Sequence, residues 1–237
     1  MAIETRNPAT EELLEQFAPM TDDAIDKALK TADDSFQNFR RTDIADRAAW
    51  LNNAADILEG EVNEWAVLLT TEMGKTLSAA IAEVQKSAQG CRYYATHGEQ
   101  ILANEPLDSN GTNNFVRHLP LGPVLAVMPW NFPFWQVFRF AAPALIAGNV
   151  GLLKHASNVP RSALAIQNIL ERAGFPEGAF QTLLIGSDQV QRVLTDSRVR
   201  AATLTGSDAA GRAVASGACL LYTSDAADER SSVDLGG

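Results

Sequence analysis

Cysteine and histidine are scarce in this chain of 237 residues, which holds two cysteines, Cys91 and Cys219, and three histidines, His97, His118 and His155. Two cysteines make no disulfide framework, so a reducing cytoplasm is the expected compartment. His97 and His118 stand alone in the sequence, without a carboxylate or cysteine at ligand spacing, which predicts surface roles and no metal site. Positive charge is also short: 19 Lys and Arg against 29 Asp and Glu leave a net charge of −10, which argues against the basic surface that nucleic-acid binding needs. No apolar run reaches the length of a membrane span, and Met1-Ala2-Ile3-Glu4-Thr5-Arg6 lacks the basic lead into an apolar core that marks a signal peptide. Neither a membrane partner nor export is expected. A G-x-G-x-x-G dinucleotide fingerprint is missing too. Gly74-Lys75-Thr76 resembles the end of a P-loop, but the earlier glycine it requires falls on Leu69, and the segment ends a helix instead of following a strand.

What is present is 46% hydrophobic and 20% charged residues, the balance of a soluble globular protein with one large or two small domains. Residues 1 to about 20 read as a short edge segment turning at Asn7-Pro8. Thr21 is placed to cap a helix whose first turn carries Asp22 and Asp23, and Ile25, Ala28, Leu29, Ala32, Phe36 and Phe39 follow at helical spacing. A second helix carries Ile44 to Leu58, a third Val62 to Leu69 with its stop near Gly74, and a fourth runs from about Thr76 to Leu102. Residues 1–103 are therefore expected to be mostly helical. Within 104–122, Phe115 to Leu119 alternates like an exposed strand of a hairpin. Over 123–218, strands at about 123–128, 150–154, 180–184 and 199–204 alternate with helices at about 134–147, 160–173, 187–195 and 207–217. Such alternation predicts an α/β fold of βαβ units with a parallel sheet and flanking helices.

The densest signal is Met128-Pro129-Trp130-Asn131-Phe132-Pro133-Phe134-Trp135. It follows the apolar run Pro123 to Val127 and precedes a helical pattern that stops at Gly148. A strand thus enters a stiff turn that opens a helix, and ligands of open α/β sheets bind outside such strand ends. The two prolines fix φ and confine Asn131, whose side-chain amide can donate to a developing oxyanion with little reorganisation.

This run resembles the P-W-N-F-P signature of the aldehyde dehydrogenase superfamily. Pro143 to Asn149 followed by Val150-Gly151-Leu152-Leu153-Lys154 is similar to that family's helix, tight turn, second strand and cofactor-binding lysine. Arg198 to Ser207, ending Leu204-Thr205-Gly206-Ser207, resembles the strand that ends in the family's F-T-G-S, with Leu204 in place of Phe. The likeness spans roughly residues 1–218 and points to the succinate-semialdehyde dehydrogenase branch. It implies a Rossmann-like cofactor-binding domain and oxidation of a small aldehyde by a homo-oligomeric enzyme with a nicotinamide cofactor. It assigns Asn131 as the oxyanion donor and sets Pro129, Trp130, Lys154, His155, Ala156, Ser157, Thr205, Gly206, Ser207 and Gly211 around the cofactor.

The identity of residue 157 bears on the choice of cofactor. Many family members carry there a glutamate that accepts hydrogen bonds from both ribose hydroxyls and favours NAD. Ser157 has no charge to repel a 2′-phosphate and can donate to it, while Lys154 adds a positive charge. NADP is therefore expected, with NAD as the weaker cofactor. The alternative is that Ser157 caps a turn before Pro160.

Two further segments limit what the resemblance implies. Residues 219–237 extend neither a helical nor a strand pattern, resemble a translated sequencing adapter, and are expected to be a non-native tail. Val233-Asp234-Leu235-Gly236-Gly237 therefore only mimics the family's E-L-G-G base motif. Cys219 opens the same tail, and Cys91 reads as a packed apolar residue. The nucleophilic cysteine and the glutamate base of the family are thus expected to be missing. That expectation makes the chain an inactive N-terminal part of a dehydrogenase. A non-catalytic NADP-binding or subunit-interaction module, or a dehydrogenase of another short aldehyde, are the alternatives.

Overall fold

The computed structural model describes residues 2–108 and 114–218. Four helices dominate the first hundred residues: α1 (Asp22–Phe39), α2 (Ile44–Gly60), α3 (Val62–Met73) and α4 (Leu77–Ile101). The Thr21 hydroxyl accepts from the Ala24 amide at 3.2 Å and caps α1, whose buried face is the expected set from Ile25 to Phe39. Helix α3 stops at Gly74, which takes a left-handed φ of 80°.

The chain begins with an antiparallel hairpin, β1 (Ile3–Arg6) and β2 (Leu13–Phe17), where the sequence suggested one edge segment. Its turn includes Asn7, whose side chain accepts from the Ala9 amide at 3.0 Å. The second expected hairpin is present but smaller. Strand β3 (Glu105–Pro106) pairs with β4 (Phe115–Val116), and the alternation from Phe115 to Leu119 extends past the paired residues because all of them are exposed. Part of the 104–122 segment, residues 109–113, lies outside the described residues, as do the expected tail 219–237 and Cys219.

The sheet is parallel and four-stranded, in the order β7-β6-β5-β8, with β5 (Pro123–Met128), β6 (Val150–His155), β7 (Phe180–Thr182) and β8 (Ala201–Leu204). The intervening helices are α5 (Trp135–Ile146), α6 (Pro160–Arg172), α7 (Val190–Leu194) and α8 (Asp208–Ala218). Helix α7 is shorter than expected because residues 186–189 form a turn, closed by the Gln189 side chain on the Gly186 amide at 3.2 Å. Strand β8 starts late because a turn precedes it, in which the Val199 amide bonds to the Asp196 carbonyl at 3.0 Å.

The chain runs from β5 out to β7 and returns to β8 on the other side of β5. The crevice between β5 and β8 is therefore the topological switch point where open α/β sheets hold ligands. One continuous core joins the sheet to the helices, with α1 packed on the strands and α2 to α4 on α5 and α6. Helix α4 approaches α5 closely at Gly98, where a Cβ atom would stand 2.4 Å from Ile146 Cγ1.

Helices α5 and α6 both begin without a side-chain cap of their own. Each is capped by a buried carboxylate from the helical region. Glu83 of α4 accepts from the Phe134 and Trp135 amides at 2.9 and 3.1 Å. Glu72 of α3 accepts from the Arg161 and Ser162 amides, each at 2.8 Å, and from the hydroxyls of Thr5 and Ser162. A carboxylate at a helix start meets both the unpaired N–H groups and the positive end of the helix dipole.

Candidate functional site

The register of the parallel strands brings the expected site segments to one end of the sheet. Met128 stands opposite His155, and Val127 is opposite both Lys154 and Leu204. The Pro129–Phe134 turn, the Lys154–Ser157 segment and Thr205–Ser207 thus leave three adjacent strands at the same level.

Asn131 is exposed on its turn, and its side-chain amide has no hydrogen-bond partner among the described residues. Its carbonyl accepts from Lys75 Nζ at 2.9 Å. The same ammonium pairs with Glu83 and lies 3.7 Å from the centroid of the Phe132 ring. Trp130 and Phe132 are 50% and 44% exposed, so the turn offers two apolar rings to whatever approaches it.

His155, expected beside the cofactor, is the last residue of β6. Its ring is buried, with Nε2 3.0 Å from the Pro133 carbonyl and Nδ1 accepting from the Ala156 amide at 2.9 Å. These partners fix the tautomer with the proton on Nε2. Loss of solvent lowers its pKa to about 4, although the Pro133 carbonyl favours the protonated form. The neutral ring braces the Asn131 turn from beneath, with both nitrogens already engaged.

Lys154 is buried, and its ammonium has neither a hydrogen bond nor an ion pair among the described residues. Desolvation lowers its pKa. Ser157 lies in a turn closed by the Val159 amide on the Ala156 carbonyl at 3.1 Å. Its carbonyl accepts from the Glu4 amide at 3.1 Å, and its hydroxyl has no hydrogen bond among the described residues. With Glu72 capping α6, the turn-capping alternative for Ser157 has no hydrogen bond behind it. Lys154 and Ser157 suit a ligand bearing hydroxyl or phosphate oxygens: among the described residues one cation and one hydroxyl stand unpaired, with no carboxylate at position 157.

At the end of β8, the Thr205 hydroxyl accepts from the Arg139 guanidinium at 3.3 Å. Gly206 and Ser207 are exposed at the start of α8, where the Ser207 hydroxyl lies 3.4 Å from the Ala210 amide in a capping position. Gly211 is inside the first turn of α8, and its amide is consumed by the Ser207 carbonyl at 2.9 Å. Its N–H is therefore already engaged within the helix. Beside these residues an open cleft of about 370 Å³ is lined by Met128, Gln136, Arg139, Thr203 and Thr205 among others.

Three side chains of this region escaped sequence reasoning: Lys75, Glu83 and Arg139. The signal for Glu83 was its phase, since it falls in the buried stripe of α4 with Ala80, Val84, Ala88 and Cys91. Glu72 sits the same way in α3, three residues after Leu69. A carboxylate on an apolar stripe demands donors from another element. Arg139 carried no such signal, because an arginine on an exposed helix face is commonplace.

Cys91 packs as expected. It is wholly buried, and desolvation pushes its thiol up to about 12, so it offers no thiolate near neutrality. His97 is exposed, donates from Nδ1 to the Tyr93 carbonyl at 2.9 Å and stacks on the Tyr93 ring. His118 is exposed but does meet a carboxylate, Glu105, at 3.1 Å across the small hairpin. That partner is thirteen positions away in sequence and beyond the reach of local spacing. Among the described residues, no cluster of three or more His, Cys, Asp or Glu could hold a metal, and no helix is long and apolar enough to cross a membrane.

The chain is 55% identical over 218 residues to a probable succinate-semialdehyde dehydrogenase [NADP(+)] of Synechocystis sp., a match that takes in 92% of this chain and 48% of that protein. Succinate-semialdehyde dehydrogenase [NADP(+)] of Mycobacterium avium is also 55% identical, over 219 residues, 91% of this chain and 46% of that one. Among solved structures, the fold matches succinic semialdehyde dehydrogenase from Streptococcus pyogenes in complex with NADP+ with a TM-score of 0.90, at 36% identity over 93% of this chain and 49% of the other. The chain therefore spans about half the length of the curated relatives it matches. The model of the aldehyde dehydrogenase family matches residues 1–237, and the chain belongs to that family.

Proposed function

We propose that this chain carries the cofactor cradle and the oxyanion donor of an enzyme that oxidises succinate semialdehyde to succinate with NADP. The observation that carries this reading is the buried Lys154 ammonium, without a partner among the described residues, on the strand end that leads to the uncharged Ser157. A buried cation without a partner is costly unless a ligand completes it. The 2′-phosphate that distinguishes NADP from NAD supplies the missing charge, and its oxygens accept from the Ser157 hydroxyl. Thr205, Gly206 and Ser207 follow β8 at the switch-point crevice, on the same end of the sheet as the Asn131 turn that follows β5. The relatives named for NADP and succinate semialdehyde support both assignments.

The bound nicotinamide would supply the hydride acceptor. The residues described here bind and orient: Asn131 donates to the oxygen of the attacked aldehyde carbon, where charge develops. The exposed Arg139 guanidinium on the neighbouring cleft gives a carboxylate-bearing aldehyde a cation to approach. The complete enzyme is proposed to be a homo-oligomer.

Titration calorimetry of the 237-residue chain tests the cofactor assignment. NADP+ should bind more tightly than NAD+, and Ser157→Glu should reverse the order. Tighter NAD+ binding by the unaltered chain would refute it. A second reading, a dinucleotide-binding module without chemistry of its own, draws on Cys91, the one described cysteine, whose thiol is buried and protonated. Loss of an enzyme nucleophile costs on the order of 10⁶ in rate, so the chain alone should produce no NADPH from succinate semialdehyde.

A further inference from the structure

We infer that Lys75 and Glu83 are positioning residues that set the conformation of the Asn131 turn, acting across from the helical region to the sheet. The inference rests on the reading of Asn131 as oxyanion donor. Within its own stretch of chain the turn is held by one bond, the Phe132 carbonyl accepting from the Gln136 amide at 3.1 Å. Pro129 and Pro133 lack amide hydrogens, and Trp130, Asn131 and Phe132 belong to no helix or strand. The other fixed points come from outside. His155 holds the Pro133 carbonyl, Glu83 holds the amides of Phe134 and Trp135, and Lys75 donates to the Asn131 carbonyl itself.

The side chain of Lys75 is 10% exposed and that of Glu83 1%, so the pair is withdrawn from water and its geometry is narrow. Glu83 divides its oxygens, Oε1 taking the two amides and Oε2 the ammonium. Lys75 then spans Glu83, the Asn131 carbonyl and the face of Phe132. Capping alone does not call for this lysine. Glu72 caps α6 with neutral donors only, namely two amides and two hydroxyls. What Lys75 adds at the start of α5 is the link to residue 131. Because the peptide carbonyl and the side chain of Asn131 share one Cα, fixing the carbonyl limits the directions in which the amide can point.

The test is nuclear magnetic resonance on the ¹⁵N-labelled 237-residue chain, reading the side-chain amide signals and relaxation of Asn131 together with hydrogen exchange at Phe134 and Trp135. Lys75→Met should shift and mobilise the Asn131 signals while exchange at Phe134 and Trp135 rises by less than about threefold, since Glu83 stays in place. Lys75→Arg should restore the Asn131 signature. Glu83→Gln should raise exchange at Phe134 and Trp135 by about tenfold or more and also mobilise Asn131. If Glu83→Gln fails to fold, the Lys75 pair of variants decides alone. Asn131 signals that coincide in the unaltered chain and Lys75→Met, or that Lys75→Arg leaves mobile, would overturn the inference. NADP+ affinity of the unaltered chain is measured alongside. Absence of NADP+ binding by the unaltered chain would defeat the proposed function and leave the positioning result to be read separately.

Discussion

The starts of α5 and α6 solve one physical problem in two ways. Each follows a parallel strand, each lacks a cap of its own, and each borrows a buried carboxylate from the helical region. At α6, Glu72 gathers only neutral donors and ties in Thr5 from the N-terminal hairpin, so every contact faces inward. At α5, Glu83 shares its charge with Lys75, and Lys75 carries the connection out to the exposed Asn131 turn. The first joint fastens elements together. The second also orients an exposed group, and the two should therefore respond differently to substitution.

Removing the carboxylate at α6 is the harshest test of that difference. Glu72→Ala leaves two amides and two hydroxyls without their acceptor and should destabilise the chain by about 3–5 kcal/mol, measured by urea unfolding. Glu83→Ala strands two amides and a lysine that can still turn toward solvent, so a smaller loss of about 2–4 kcal/mol is expected. Equal or reversed losses would break the distinction between the joints. A third substitution tests how α4 brings Glu83 to α5. Gly98→Ala forces a methyl against Ile146 and should cost about 1–3 kcal/mol in the same measurement, while Gly60→Ala, with open space around it, should not.

The joint at α5 is also expected to respond to acid through His155. Its folded pKa of about 4 lies below the ordinary value of 6.5, so the unfolded chain binds the extra proton between those limits. The stability that depends on neutral His155 is thus present above about pH 6.5 and is lost as pH falls toward about 4. His155→Gln retains a side-chain N–H for the Pro133 carbonyl but does not titrate there. Thermal melts from pH 7 to 4 should therefore show a shallower decline in the variant, and parallel curves would remove His155 from the account.

Much of this arrangement was legible in the sequence because periodicity and strand ends are local signals. The buried face of α1 from Ile25 to Phe39, the Thr21 cap and the limits of β5 follow from residue spacing alone. The signature turn and Lys154 were found from a resemblance of motifs, and the parallel register explains why they share one end of the sheet. The partners of those residues were not legible, because Glu83 reaches Phe134 across fifty-one positions and Glu72 reaches Ser162 across ninety. Gly211 and His155 show a related limit. A motif names a residue without saying which of its atoms the fold has already used, here the Gly211 amide and both ring nitrogens of His155.

The smallest expected effect has the sharpest bearing on function, because it should raise stability. Lys154 lies in a buried place without an ion pair or hydrogen bond among the described residues, and desolvation lowers its pKa. Lys75, by contrast, is half-buried with a carboxylate at hand. Exchanging an unpaired buried charge for an apolar chain of similar length removes the cost of its desolvation, so Lys154→Met should stabilise the ligand-free chain by about 1 kcal/mol. Lys75→Met should not stabilise it, since it strands Glu83. The gain at Lys154 should come with loss of NADP+ binding, and melting curves recorded with and without NADP+ give both quantities. In the unaltered chain the cofactor should raise the melting temperature, and in Lys154→Met the two curves should coincide at a slightly higher starting point. A destabilised Lys154→Met, or one still shifted by NADP+, would mean that Lys154 serves the fold and not the ligand.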